Sequence, residues 1–401
     1  SASVSPMTSP FILASPELKI QPRRESVWSP LFDFWTLGGL SILLWFVCHI
    51  ANIFRGDVPA FEMRFMQMMT VFSLFSILCN HPHFLVSYRL GYGQGFKFIL
   101  KNWFPLIFVP LAMAGLYSLA YFEFHSPIVI SPAIESINSF LAALGLIFHI
   151  GESTRLGAEV VGLSIWAMYF TVGWHYCKQV YGCMMVYAFY DGYTLTLLQK
   201  RIIKSSVVFV AVYQFIYMAS ILDAGSVGGT VQDFRFQGFY MSALGIPNGF
   251  MQVTTLAMII SGVLTLGVFA FNYKKLGKWP SVNFLVPWVA FYIWWVPFRN
   301  LPEFYMLMVP FFHSLQYLPF AFRVESEKIK KNKWFNLQTS LRILLLLAIG
   351  FSFFEFIPSM LDKGLNTEGF QTAWFFSTVF AVFLNIHHFF IDSVVWKFDN
   401  K

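Results

Sequence analysis

Between about residue 34 and residue 396, apolar runs close to 20 residues long recur, separated mostly by short polar gaps. A helix needs about 20 apolar residues to cross a hydrocarbon core of about 30 Å. Inside that core no water is present to satisfy backbone N–H and C=O groups, so only helices or closed barrels survive there. Runs of this length exclude barrel strands, which need only about 9–11 residues. The expected fold class is therefore all-α, a polytopic helical membrane protein. Composition agrees: 12% of the 401 residues are charged, against about 25% in soluble chains.

Ten runs are clear, at roughly 34–54, 64–88, 103–122, 157–177, 205–222, 250–272, 282–298, 302–322, 339–358 and 371–396. Two more, 136–151 and 179–198, are shorter or softer, which gives an alternative of twelve. Lysines and arginines gather in short loops: Arg89, Lys97 and Lys101; Lys200, Arg201 and Lys204; Lys274, Lys275 and Lys278; and 323–333. By the positive-inside rule these loops face the cytoplasm, and so do both termini. In the ten-span arrangement 136–151 dips in and returns, and 179–198 lies along the inner interface. Only that arrangement brings His175 to the depth of the other intramembrane histidines.

Residues 1–30 are rich in Ser-Pro pairs and carry Lys19, Arg23 and Arg24, which predicts a poorly ordered basic tail. Residues 31–401 then form one multi-span domain. The net charge of +7 is absorbed by the loop bias and does not indicate a nucleic-acid partner. The four cysteines lie in apolar segments without a CxxC pair, which argues against disulfides or a thiolate metal site. The partners expected are the lipid bilayer, in a bacterial inner membrane, and a hydrophobic small molecule.

Histidines are what lipid-spanning helices do not need. Ionisable groups at membrane depth are costly and mark pathways or sites. Four stations carry them, each with polar company: Asn80-His81-Pro82-His83, His175 with Gln179, His313 with Gln316 and Tyr317, and Asn385-Ile386-His387-His388 with Asp392. On a helix, residues three or four apart share a face. Asn385 and Asp392 therefore share one with His388, while His387 points about 100° away. Pro82 is expected to break the helix ladder and re-aim His81 and His83. Gln179 is placed to orient His175, and Asp392 to orient His388, as metal-bound imidazoles require. His149 with Glu152 is a further candidate ligand and carboxylate. Neutral imidazoles without thiolates fit a first-row transition metal, and iron in particular, rather than magnesium or calcium.

The order of these motifs resembles that of the membrane carotene-cleaving dioxygenases related to the bacterio-opsin-related protein. Pro82-His83, His175-Tyr176, His313-Ser314 and His387 with Asp392 follow one another as in that family. Tyr317 stands where the third motif would carry a second histidine. The resemblance implies a multi-span, histidine-ligated iron enzyme, with His387 rather than His388 as the last ligand.

Together these readings predict a non-haem iron oxidoreductase that uses O₂ on a lipid-like or polyene substrate. Its ligands would come from His83, His175, His313 and His388, with His81 and His387 as further candidates. Asp392, Gln179, Gln316 and Asn385 would support them, and Tyr317 would face the open coordination position. Two rivals remain: a carrier or envelope-assembly subunit without catalysis, and a b-type haem protein with two axial histidines.

Overall fold

The computed structural model describes residues 26–53, 59–145, 155–227, 235–236, 239–240, 244, 246–295, 302–329, 337–365 and 374–396. The chain begins with α1 (Pro30–Phe34), passes a π-turn at Trp35–Gly39 and continues as α2 (Leu40–Ile53). Then come α3 (Pro59–Tyr92), α4 (Phe96–Lys101), a π-turn at Phe104–Phe108, α5 (Val109–His125) and α6 (Ser131–Ala143). The middle of the chain is α7 (Leu156–Tyr190), α8 (Leu197–Val227), the two-residue strands β1 (Arg235–Phe236) and β2 (Phe239–Tyr240), and α9 (Asn248–Leu276). It closes with α10 (Val282–Trp295), α11 (Pro302–Ile329), α12 (Leu337–Phe351), α13 (Ile357–Gly364) and α14 (Phe375–Val395).

The structure is that of a helical membrane protein. Among the described residues, seven helical segments are long and apolar enough to cross a bilayer, against the ten or twelve expected. Part of the difference is α10, whose 14 residues span only about 21 Å as a helix. The 179–198 stretch also departs from both expected topologies. Residues 179–190 simply continue α7, a single helix of 35 residues and about 52 Å. They form neither a separate crossing nor a separate interfacial helix, because the aromatic residues that soften the run are compatible with helix.

Helices α3 and α7 organise the packing. The first lies against α11, α12 and α14, the second against α5, α8, α10 and α14. Close approach depends on small residues. A Cβ on Gly91 of α3 would stand 2.8 Å from Ile391 Cγ2 of α14, too near for a real contact. The N-terminal approach is tied down as well. Val27 is buried, its N–H donates to Asp33 Oδ2 at 2.7 Å, and Trp28 Nε1 donates to the Pro319 carbonyl at 2.9 Å. Residues 27 and 28 thus belong to the folded body rather than to the expected tail, of which residues 1–25 lie outside the described residues.

Candidate metal centre

Four helices each deliver one imidazole to a common point: His83 from α3, His175 from α7, His313 from α11 and His388 from α14. All four are buried, and one ligand nitrogen from each lies within 4.8 Å of the others. Ring centroids are 4.5 Å apart for His83 and His388, 4.7 Å for His175 and His313, and 4.9 Å for His175 and His388. A metal holds imidazole nitrogens at about 2.0–2.1 Å, so ligands on opposite sides of it stand about 4.2 Å apart. In a tetrahedral set the nitrogens stand about 3.3 Å apart, so the widest pairs, at up to 4.8 Å, would draw in by about 1.5 Å around an ion. Four close, buried histidines could hold a metal ion.

The hydrogen-bond account supports the same fit. Both ring nitrogens of His83, His313 and His388, and Nε2 of His175, are buried without a hydrogen-bond partner. An unsatisfied buried polar group costs about 1–3 kcal/mol. Seven such atoms in one place would cost on the order of 10 kcal/mol, comparable with the whole stability of a domain. A cation accepting one lone pair from each ring would satisfy four of the seven. The cavity between the rings measures about 20 Å³ and is also lined by Asn80, Tyr176, Asn385 and Phe389. That is space for about one small particle. It leaves no slot for a porphyrin between any two imidazoles, so the structure gives the haem alternative no support.

Asp392 is the carboxylate of the site. Its Oδ2 lies 3.5 Å from Nε2 of His388, one turn away, and 3.6 Å from Nε2 of His175 on α7. The contact with His388 follows from helix spacing; the contact with His175 does not.

The other sequence candidates fall elsewhere. His81 points away from the cluster, because residues two apart on a helix diverge by about 200°. It stacks on Phe354 at 4.8 Å, in the π-turn Ser352–Phe356 after α12. Helix α3 runs on through Pro82 rather than ending there. His387, the last ligand by the family-like spacing, is engaged at both nitrogens: Nδ1 lies 2.8 Å from Tyr88 Oη and Nε2 lies 3.2 Å from Tyr92 Oη. Tyr92 donates its own proton to the Leu106 carbonyl at 2.7 Å, so it accepts from Nε2. The neutral ring then accepts from Tyr88 at Nδ1, and no lone pair is left for a metal.

Gln179 does not orient His175. Its Nε2 donates to the His313 carbonyl and to Gln316 Oε1, both at 2.9 Å, and Gln316 Nε2 donates to the Leu37 carbonyl at 2.7 Å. The two amides tie α7, α11 and the first π-turn together behind the site. Tyr317, expected at an open position, turns its hydroxyl to Ser87 at 2.8 Å and accepts from Trp396 Nε1 at 3.2 Å. Its ring stands edge-on to His83 at 4.2 Å. Asn385 donates to the Ala381 carbonyl at 2.8 Å while lining the cavity. His149 and Glu152 lie outside the described residues.

Three further residues complete the surroundings, of which Asn80 and Tyr176 stand in the sequence motifs named above. Tyr176 stacks on His313 at 3.9 Å, Asn80 lines the cavity while bonded to the Ser314 hydroxyl, and Phe389 forms part of the wall. Each joins the site through contacts between helices, for which one sequence carries no signal.

No family model, curated protein or solved structure matches this chain.

Proposed function

We propose that the protein is a membrane-embedded oxidoreductase in which His83, His175, His313 and His388 hold a non-haem iron ion, acting with O₂ on a lipid-like or polyene substrate. The observation that carries this reading is the convergence of four buried imidazoles whose nitrogens lack hydrogen-bond partners. When bound, iron would supply affinity for O₂ and one-electron chemistry, which a set of neutral imidazoles without thiolates suits. The chain's own residues do the rest. Asp392 sets a carboxylate beside His175 and His388, and the Gln179–Gln316 pair fixes the backbone of His313. Phe84, Val172, Pro310 and Phe389 supply an apolar wall around the histidines. Tyr317 packs against His83 and limits how that ring can rotate. We place the protein in a bacterial inner membrane with both termini in the cytoplasm, on the loop charges alone.

The test is O₂ uptake by purified, iron-loaded protein in detergent, with a panel of polyenes and unsaturated lipids. Substrate-dependent uptake that is lost in His83→Ala supports the reading. Uptake equal to that of buffer with every compound would contradict it.

A further inference from the structure

Lys178 stands three residues past His175 on α7, and its ammonium lies 5.0 Å from the centroid of the Phe389 ring. Phe389 follows His388 on α14 and lines the cavity between the four histidines. A single aromatic ring therefore stands between a cation and the proposed metal site. Lys178 lies 22 residues into α7, about 33 Å along a helix. This is close to the depth at which a hydrocarbon core of about 30 Å ends.

A second cation lies on the neighbouring helix. Lys204 of α8, which packs on α7, acts electrostatically on Lys178. Both lysines are exposed. Neither lysine takes part in the ion pairs formed by Arg155 with Glu123 or by Asp392 with His175 and His388. Two like charges held close repel unless an anion joins them. An ammonium at an interface usually extends into water; this one folds back over a ring of the cavity wall.

We propose that Lys178 and Lys204 bind the anionic headgroup of a single-chain amphiphile, whose hydrocarbon chain lies along Phe389 at the edge of the histidine cavity. The substrate class is then a carboxylate or phosphate ester on an apolar chain, not a neutral polyene. That this ligand is a substrate rests on the metal-site reading; the binding itself does not.

The test uses full-length protein in a non-ionic detergent. Tryptophan fluorescence quenching by 9,10-dibromostearate is compared with quenching by its methyl ester. Each interfacial lysine contributes about fivefold in affinity for an anion. Lys178→Met and Lys204→Met should therefore each weaken the carboxylate about fivefold and together about 30-fold, while the ester is unaffected. Lys178→Arg should retain the affinity, and Lys363→Met, on α13, should behave as the parent protein does. Equal binding of acid and ester by the parent protein, or undiminished acid binding by the double variant, overturns the proposal. So does competition by phosphatidylglycerol as effective as that by stearate, since the site would then belong to a bilayer lipid. Monodispersity in detergent checks folding. The same titration on His388→Ala separates the two readings. Charge-dependent binding that survives without any metal in the parent protein leaves the headgroup site standing and removes the metal. Metal present without charge dependence does the reverse.

Discussion

Oδ2 of Asp392 lies 3.6 Å from Nε2 of His175, although the two residues belong to different helices. The same oxygen lies 3.5 Å from Nε2 of His388 on its own helix. One carboxylate thus stands beside two of the four converging imidazoles, at Nε2 atoms that have no hydrogen-bond partner. Asp392→Asn removes the charge and leaves one oxygen to serve two rings. Loss of such a partner typically costs about 10–100-fold in metal affinity. Competition against a chelator of known affinity should show a loss of that size, and an unchanged affinity would remove Asp392 from the site.

How much of this could be read in advance divides along one line: what lies within a helix was legible, and what lies between helices was not. Helix spacing placed Asp392 beside His388 and turned His387 away, and both relations hold. It could not place Asp392 beside His175, Tyr317 against His83, or Tyr176 on His313, because each pair joins two helices. The membrane class was legible because backbone satisfaction in lipid leaves few options. Hydropathy could not tell that 156–190 is one helix, since aromatic residues lower the score without breaking a helix. Pro82 misled for a similar reason: a proline disrupts one hydrogen bond, but packing on three neighbours carries α3 through it.

His387→Ala should leave the metal in place and reduce stability. It removes a ring held by Tyr88 and Tyr92, and it takes the acceptor from the Tyr88 hydroxyl while Tyr92 keeps its bond to the Leu106 carbonyl. The expected cost is about 1–3 kcal/mol, read as a lower midpoint in thermal unfolding in detergent. Metal loss equal to that of His388→Ala would contradict the assignment of the two rings.

Gly91→Ala tests the α3–α14 contact that sets the distance between His83 and His388. The new Cβ would meet Ile391 Cγ2 at 2.8 Å, so that side chain or the helix carrying it must shift. Overpacking of this kind costs about 1–3 kcal/mol. Both the unfolding midpoint and the metal affinity should fall, and a variant with parental values of both would show that the contact yields without consequence.

Topology follows from α7. Leu156 N–H donates to the Ile128 carbonyl at 3.2 Å, which puts Ser126 at the same end as the start of α7. Thr194 lies beyond its far end, a helix length of about 52 Å away. Single cysteines at these exposed positions, in a cysteine-free background, should react with an impermeant maleimide from opposite sides of the membrane. The loop charges predict Ser126→Cys outside and Thr194→Cys inside. Labelling of both from one side would require α7 not to span.

Four buried imidazoles with unpartnered nitrogens could hold a metal ion, which the proposed function takes to be iron. Protein purified in detergent without chelator should carry close to one iron per chain by elemental analysis, with no haem band in its visible spectrum. His83→Ala, His175→Ala, His313→Ala and His388→Ala should each lose that iron, while His81→Ala keeps it. Parent protein that is folded and monodisperse yet contains no iron or other transition metal, even after anaerobic incubation with ferrous ion, would contradict the account.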